Sequence, residues 1–350
     1  MRPDFWRGRS VFITGHTGFK GSWIALWLTQ LGAKVHGYSL GVPSIPNFFT
    51  ETQLQDRLQT STMGDIRDLS KMTSAMLLAE PSIVIHMAAQ SLVRESYNTP
   101  AETFATNVVG TVNTLEAARQ TATVQAIVNI TTDKCYENQE SGRSYRESDR
   151  LGGRDPYSSS KACAEIAAAA YQKSFLAKAD IQLASVRAGN VIGGGDWAAD
   201  RLLPDFLRAI DSGETLRVRS PHAVRPWQHV LEPLAGYLAL AERLVTDGAQ
   251  FAEAWNFGPD ESDTKPVSWI VDHLCKKMPN VRWELEGSPQ PHEAGLLKLN
   301  SSKAKSKLGW IPRWSLETAL DATVEWHEAW KANQSMSTIS TQQIEVYQAI

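Results

Sequence analysis

Val11 Phe12 Ile13 Thr14 Gly15 His16 Thr17 Gly18 Phe19 Lys20 Gly21 organises everything that follows it. A short apolar run ends in three glycines at intervals of three, and a helix pattern (Trp23 Ile24 Ala25 Leu26 Trp27 Leu28) takes over at once. The order predicts a buried strand, a tight turn and a helix N-terminus. Gly15 permits the turn, Gly18 lets backbone approach a diphosphate, and Gly21 lets helix lie against strand, while unpaired N–H groups at the helix start face negative charge. The spacing points to a bound dinucleotide; glycines that merely punctuate a strand-to-helix turn are the plainer alternative.

At 350 residues and 42% hydrophobic content, the chain can bury a large core as one big domain or two. With 35 basic and 38 acidic residues, its net charge of -3 gives no general attraction for nucleic acid or anionic lipid. Any phosphate recognition must come from a local arginine cluster. No 18-residue apolar run occurs, and Met1 Arg2 Pro3 Asp4 Phe5 Trp6 lacks a signal peptide's apolar core, so a cytoplasmic protein without membrane contact is expected. Cys135, Cys163 and Cys275 are too few and scattered for a disulfide framework or zinc site, and the histidines form no H-E-x-x-H pattern, so no metal is expected.

Lys34 to Leu40 reads as the second parallel strand. In an NAD-binding unit its end carries an acid for the ribose, and in an NADP-binding unit an arginine nearby; Tyr38, Ser39 and Leu40 offer neither, which leaves the two open. Residues 41 to 60 read as a loop with one helical turn. Within Gly64 Asp65 Ile66 Arg67 Asp68, the acid and its apolar neighbour either hold adenine or cap the helix that begins near Leu69. Pro81 to Ala89 reads as a buried strand closing on Ala88 and Ala89, whose small side chains either leave room for a ligand or serve tight helix packing. Helices at Pro100 to Thr106 and Val112 to Arg119 and a strand at Gln125 to Ile130 continue the βαβ alternation. The fold class is therefore α/β, a Rossmann-type doubly wound parallel sheet. Its ligands bind beyond the strands' carboxyl ends, where Thr131 Thr132 Asp133 Lys134 falls.

Tyr157 and Lys161 open an alanine-rich helix running through Tyr171. Four residues apart, they share one face about 6 Å apart along the axis. An ammonium beside a phenol stabilises phenolate and lets Tyr157 take a proton from a substrate hydroxyl at neutral pH. Alone, the pair equally describes a surface lysine lying along a half-buried tyrosine; the dinucleotide fold tips the reading toward chemistry. After the strand Ile181 to Arg187 and the glycine-rich Asn190 to Gly195, composition shifts. Residues 1–188 are expected to form the cofactor domain and 189–332 mainly a smaller substrate-binding domain. Residues 333–350 read as a polar tail, disordered or laid on a neighbouring subunit. Arg201, Arg208, Arg217, Arg219 and Arg225 are either solvated surface or, for one or two, bidentate partners of a diphosphate.

Taken together, Thr14 to Trp23, Thr131 to Tyr136, Asp155 Pro156 Tyr157 Ser158, Gly189 to Trp197 and Arg225 to Val230 resemble the extended short-chain dehydrogenase/reductase superfamily. Within it, they resemble the nucleotide-sugar 4,6-dehydratases, in the branch that acts on CDP-glucose. The resemblance runs from about residue 8 to about residue 330. Where the related dTDP-glucose and GDP-mannose enzymes carry Thr-Asp-Glu or Thr-Glu triplets, this chain has Lys134 in third place.

The resemblance implies tightly held NAD on Gly15, Thr17, Gly18, Phe19 and Gly21, with Asp65, Ile66, Ala88 and Ala89 further along the cofactor. It implies that Tyr157 deprotonates the glucose 4-hydroxyl, that Lys161 holds the ribose and the phenolate charge, and that Thr132 bonds the sugar's 4-oxygen. By position, Lys134 is the implied base at C5 and Asp133 the implied acid at the departing C6 hydroxyl. That requires protonated Asp133 and neutral Lys134; otherwise the two form an ion pair that shares one proton. Asn190 and Arg225 are implied on the sugar diphosphate, with Arg201 and His292 in corresponding loops. The product would feed 6-deoxy and 3,6-dideoxy sugars of bacterial surface polysaccharides, and a homodimer or dimer of dimers would pair through Ala162 to Tyr171. Two rivals share the fold: a nucleotide-sugar 4-epimerase, which needs no acid and base at Asp133 and Lys134, and a non-catalytic NAD-sensing regulator, which has no use for Tyr157 and Lys161 beside an acid.

Overall fold

The computed structural model describes residues 2–140, 142–278, 281–287 and 295–350. Six strands, β1 (Ser10–Thr14), β2 (Lys34–Ser39), β3 (Thr60–Met63), β4 (Ile83–His86), β5 (Ala126–Ile130) and β6 (Gln182–Ala188), and a seventh at Ala254–Phe257 form one sheet. From one edge, the order is Ala254–Phe257, β6, β5, β4, β1, β2, β3, and every pairing is parallel. The chain winds outward from β1 in both directions, so the crevice between β1 and β4 is the switch point where such sheets bind ligands.

Alternation along each strand divides the core. Ile13, Ile85, Val128, Ala184 and Val186 pack on one face with Trp23, Trp27, Leu234, Tyr237 and Trp326. Phe12, Val84, Ile127 and Leu183 pack on the other with Leu115 and Ala168. Both faces are covered, which explains why the central strands read as continuous apolar runs. A separate cluster around Leu203, Phe206, Ile270, Leu274 and Leu320 holds the smaller lobe together.

The chain beyond residue 188 does not stay in that lobe. Helix Leu231–Asp247 packs on β5 and β6, and Ala254–Phe257 pairs with β6 in register Trp255↔Val186. The polar tail expected at 333–350 requires correction, because Met336–Ala349 is a helix capped by Ser335 and packed on its own chain. Met336, Ser340, Ile344 and Tyr347, spaced four, four and three, share the buried face. The Tyr347 hydroxyl donates to Glu232 Oε2 at 2.8 Å and its ring meets Trp27 edge-on at 5.8 Å. Among the Ser, Thr and Gln residues that suggested a tail, Ser340 accepts from the Trp326 indole and Gln343 donates to the Ala322 carbonyl, while Thr338 and Gln342 face outward. Among the described residues, no helix is long and apolar enough to cross a membrane.

Three buried histidines set the acid behaviour of this fold. His86, at the end of β4, pairs its Nδ1 with Thr14 Oγ1 at 2.7 Å and its Nε2 with Thr111 Oγ1 at 3.0 Å. Burial lowers His86 to about 3, with the Lys161 charge acting the same way; it also lowers His229 to about 3 and His16 to about 4. The unfolded chain takes protons on these rings near pH 6.5, and the folded chain only well below that. The stability these rings contribute is therefore fully present above about pH 6.5 and falls as pH drops from there toward 3. Melting curves across that range should show Tm falling steadily; a flat Tm would mean the three rings are not buried neutral.

Candidate active site

The glycine turn is built as its spacing implies. Gly15 has φ +79°, and a Cβ there would lie 2.7 Å from the Ala88 nitrogen; a Cβ on Gly21 would lie 2.0 Å from the Gly15 carbonyl oxygen. No side chain fits either place. Helix Phe19–Gln30 starts at Gly18 with no side-chain cap, so its first N–H groups face the cleft without an internal acceptor. Across the switch point, Thr14 Oγ1 accepts from the Met87 and Ala88 N–H groups at 3.1 and 3.2 Å, which clasps β1 to β4.

One cleft of about 1150 Å3 runs from this turn into the smaller lobe. A pocket for one small ligand is roughly 300–1,000 Å3, so this one has room for a cofactor and a second molecule. Its walls carry Gly15, Thr17, Gly18, Phe19 and Gly21 at the turn, then Asp65, Ile66, Ala88 and Ala89. Further along come Thr132, Lys134, Tyr157 and Lys161, and finally Asn190, Arg201 and Arg225. Asp133 stands just behind this wall, fully buried. His292 lies outside the described residues.

Tyr157 and Lys161 sit on helix Pro156–Ser174, which Asp155 caps by accepting from the Ser158 N–H. Thr132, Asp133 and Lys134 follow β5 directly, and Thr132 Oγ1 accepts from the Lys134 N–H to open a single 3-10 turn. Asp133 Oδ1 receives the Thr132 hydroxyl at 3.1 Å and the Lys134 ammonium at 3.2 Å; Asp133 Oδ2 is buried without a partner among the described residues. Acid and amine thus meet as an ion pair, the second of the two states the sequence leaves open.

The pKa logic at Tyr157 differs from the simple pairing expected of it. Burial pushes its phenol up to about 12, against a hydrogen bond with Thr132, and the Asp133 charge pushes the same way. The Lys161 ammonium instead donates to the Ile130 carbonyl at 3.2 Å. Burial draws Lys161 down to about 8, opposed by the Glu165 charge. Burial therefore favours the protonated phenol, and a positive charge brought near it would favour the phenolate.

Asp65 keeps its carboxylate on Arg67, with Nη2 at 2.6 Å, while capping of the following helix falls to Asp68. The Arg67 hydrogen bond is the main reason Asp65 lies below the usual carboxylate range. Arg201 donates to Asp196 Oδ2 at 2.9 Å and to Ser91 at 3.2 Å, half-buried at the cleft wall. Arg225 is nearly buried and donates to the carbonyls of Val224 and Gly295. Asn190 Oδ1 is buried with no partner among the described residues, and its residue lines the cleft.

Sequence reading missed three groups here. Glu165 lies one turn beyond Lys161 and receives Arg187 Nη2 at 2.6 Å, Arg187 Nε at 2.7 Å and the Thr131 hydroxyl at 2.5 Å. Asn107, in a π-helical turn Ala105–Val109, donates to Ser160 Oγ at 2.8 Å and to the Gln90 carbonyl at 3.0 Å. Nothing in the pattern marks either, because only long-range packing brings their partners. Lys20 also lines the cleft; a lysine in the first turn of a helix was a legible signal, since the helix dipole disfavours a cation there.

The pattern of the family described as GDP-mannose 4,6 dehydratase matches residues 12–323. The chain is 51% identical to a CDP-glucose 4,6-dehydratase of Salmonella typhimurium, with 98% of this chain and 97% of that protein aligned. It is 26% identical to a UDP-glucose 4-epimerase of Rhizobium leguminosarum bv. trifolii over 93% of this chain and 99% of that one. A solved dTDP-glucose 4,6-dehydratase from Bacillus anthracis, in complex with NAD, superposes with a TM-score of 0.78 at 21% identity, covering 94% and 100% of the two chains.

Glu165→Ala strands the Arg187 guanidinium in the interior. It should cost about 3–5 kcal/mol in denaturant unfolding, while a loss below about 1 kcal/mol would show the pair to be dispensable.

Proposed function

Since the chain belongs to the family described as GDP-mannose 4,6 dehydratase, we propose that it is a lyase converting CDP-D-glucose to CDP-4-keto-6-deoxy-D-glucose and water. One observation carries the reading. Thr132, Lys134, Tyr157 and Lys161 converge on one cleft that begins at the glycine turn, with Asp133 directly behind them. The alignment with the Salmonella dehydratase supports the choice of substrate.

NAD fits the residues present: the Gly15 and Gly21 positions admit no side chain, and the uncapped helix start offers N–H donors to a diphosphate. NAD, when bound, would supply the acceptor for the C4 hydride and its donor to C6, so no external reductant would be consumed. The chain's own residues handle the protons. Tyr157 takes the 4-hydroxyl proton as the C4–H bond breaks, and Thr132 donates to the 4-oxygen. A phenol resting near 12 cannot do this alone; the positive nicotinamide brought by the cofactor would lower it.

The new ketone acidifies the C5 proton. Transfer of one proton from Lys134 to Asp133, 3.2 Å away, turns the resting ion pair into a neutral amine and a neutral acid. Lys134 then removes the C5 proton as Asp133 protonates the departing C6 oxygen, the C6–O bond breaks, and water leaves. That step restores the ion pair; Lys134 gives a proton to C5 as C6 receives hydride, and the proton that Tyr157 took from the 4-hydroxyl replaces it, so that phenolate and ion pair are both reset. A 4-epimerase loses no water and has no work for this pair. Arg225 and Asn190 would hold the substrate diphosphate, and His292 stays a weaker candidate from the sequence.

The chain is also proposed to pair with a second copy. Ile166 on the Tyr157 helix, Phe175 at that helix's end, and Phe104 and Val109 on neighbouring helical turns are large apolar side chains left exposed. Light scattering should give twice the chain mass; a monomer at micromolar concentration would remove this part of the reading.

Incubated with CDP-glucose, the protein should form a 4-keto sugar with its alkaline ultraviolet absorbance. A galacto product would make it an epimerase, and no product a binding protein. Lys134→Ala should still reduce bound cofactor at 340 nm but release no water; full turnover by that variant would take Lys134 out of the mechanism.

A further inference from the structure

Lys20 has no role in the reaction as described, yet its position is costly. It occupies the first turn of helix Phe19–Gln30, where the dipole repels cations, and no acidic residue shares that turn. Its side chain lines the same cleft as Lys134, Lys161 and Arg201. Among the described residues, it makes no hydrogen bond or ion pair. Burial and the nearby Arg201 charge bring its ammonium down to about 8; Lys161 and Lys134 add to this, and Asp133 alone opposes it.

Four cations thus share one end of the cleft. Asp133 is already engaged by Lys134 and Asp196 by Arg201, and Lys161 donates to the Ile130 carbonyl, so of the four only Lys20 makes no hydrogen bond or ion pair among the described residues. A half-buried charge pays for its desolvation only when an anion meets it. Side chains in a first turn project back past the helix N-terminus, which aims Lys20 out of the turn and into the cleft. Lys20 lines one cleft with Asn190, Arg201, Lys134 and Lys161, and Arg201 is the strongest charge acting on it.

We propose that Lys20 is a substrate-binding residue whose ammonium, together with Arg201, receives the phosphoryl group joined directly to the sugar. This inference rests on the nucleotide-sugar reading given above. Lysine suits the task as a compact point charge on a flexible stem, and it adds a contact that a nucleoside monophosphate cannot use. The cofactor's own diphosphate is the other source of the same chemistry, and the experiment separates the two.

Calorimetric titration of the purified holoenzyme with CDP and with CMP, for wild type, Lys20→Met and Lys20→Arg, provides the test, with cofactor content and Tm measured on each sample. Lys20→Met should weaken CDP at least tenfold while leaving CMP within twofold and cofactor content unchanged, and Lys20→Arg should recover part of the loss. Equal changes for CDP and CMP, or no change for either, overturn the proposal. A loss of bound cofactor with CDP affinity intact also overturns it and assigns Lys20 to the cofactor's diphosphate. Wild-type protein that fails to turn over CDP-glucose defeats the functional reading itself; normal wild-type turnover with an unaltered Lys20→Met titration defeats this inference alone.

Discussion

A buried carboxylate and guanidinium hold the catalytic helix to the sheet. Glu165 takes both forks of Arg187 and also the Thr131 hydroxyl, and Arg187 passes a further bond at 2.8 Å to the Tyr136 hydroxyl. Tyr136 in turn donates to Asn256 at 2.7 Å, on the seventh strand. One network therefore joins the helix that carries Tyr157, the β5 end that carries Thr132 to Lys134, β6, and the sheet edge. Such a pair repays its desolvation only because its polar atoms are met, and the return is geometric definition. A shift of about 1 Å in that helix would move Tyr157, the proposed proton acceptor, away from Asp133 and Lys134.

On that rigid frame, several cations gather along one cleft. Lys134, Lys161, Arg201 and Lys20 crowd around Asp133, and burial draws both Lys161 and Lys20 to about 8. Such a gathering of cations draws anionic ligands. On the proposed reading, the diphosphates of cofactor and nucleotide sugar would bring negative charge there, so that ligand binding would also tune the proton donors.

Much of this was legible in the chain. Val11 to Gly21 encodes strand, turn and helix because the local sterics of glycine and the apolar run act over a few residues, and the βαβ alternation fixes a parallel sheet. Tyr157 and Lys161 were legible because helical spacing alone places them on one face. The Glu165–Arg187 pair and the Asn107 contact were not, since their partners are brought together by sheet order and carry no local signature. The C-terminal helix was misread for a similar reason. Its four buried positions are diluted by Ser, Thr and Gln, and only the surface prepared by Trp27, Trp326 and Glu232 gives those positions something to bury against.

That helix also acts as a cover. Tyr347 meets Trp27 on the flank of helix Phe19–Gln30, and Ser340 accepts from the Trp326 indole. Lifting it would bare both tryptophans at once and leave one side of the glycine-turn helix open to solvent.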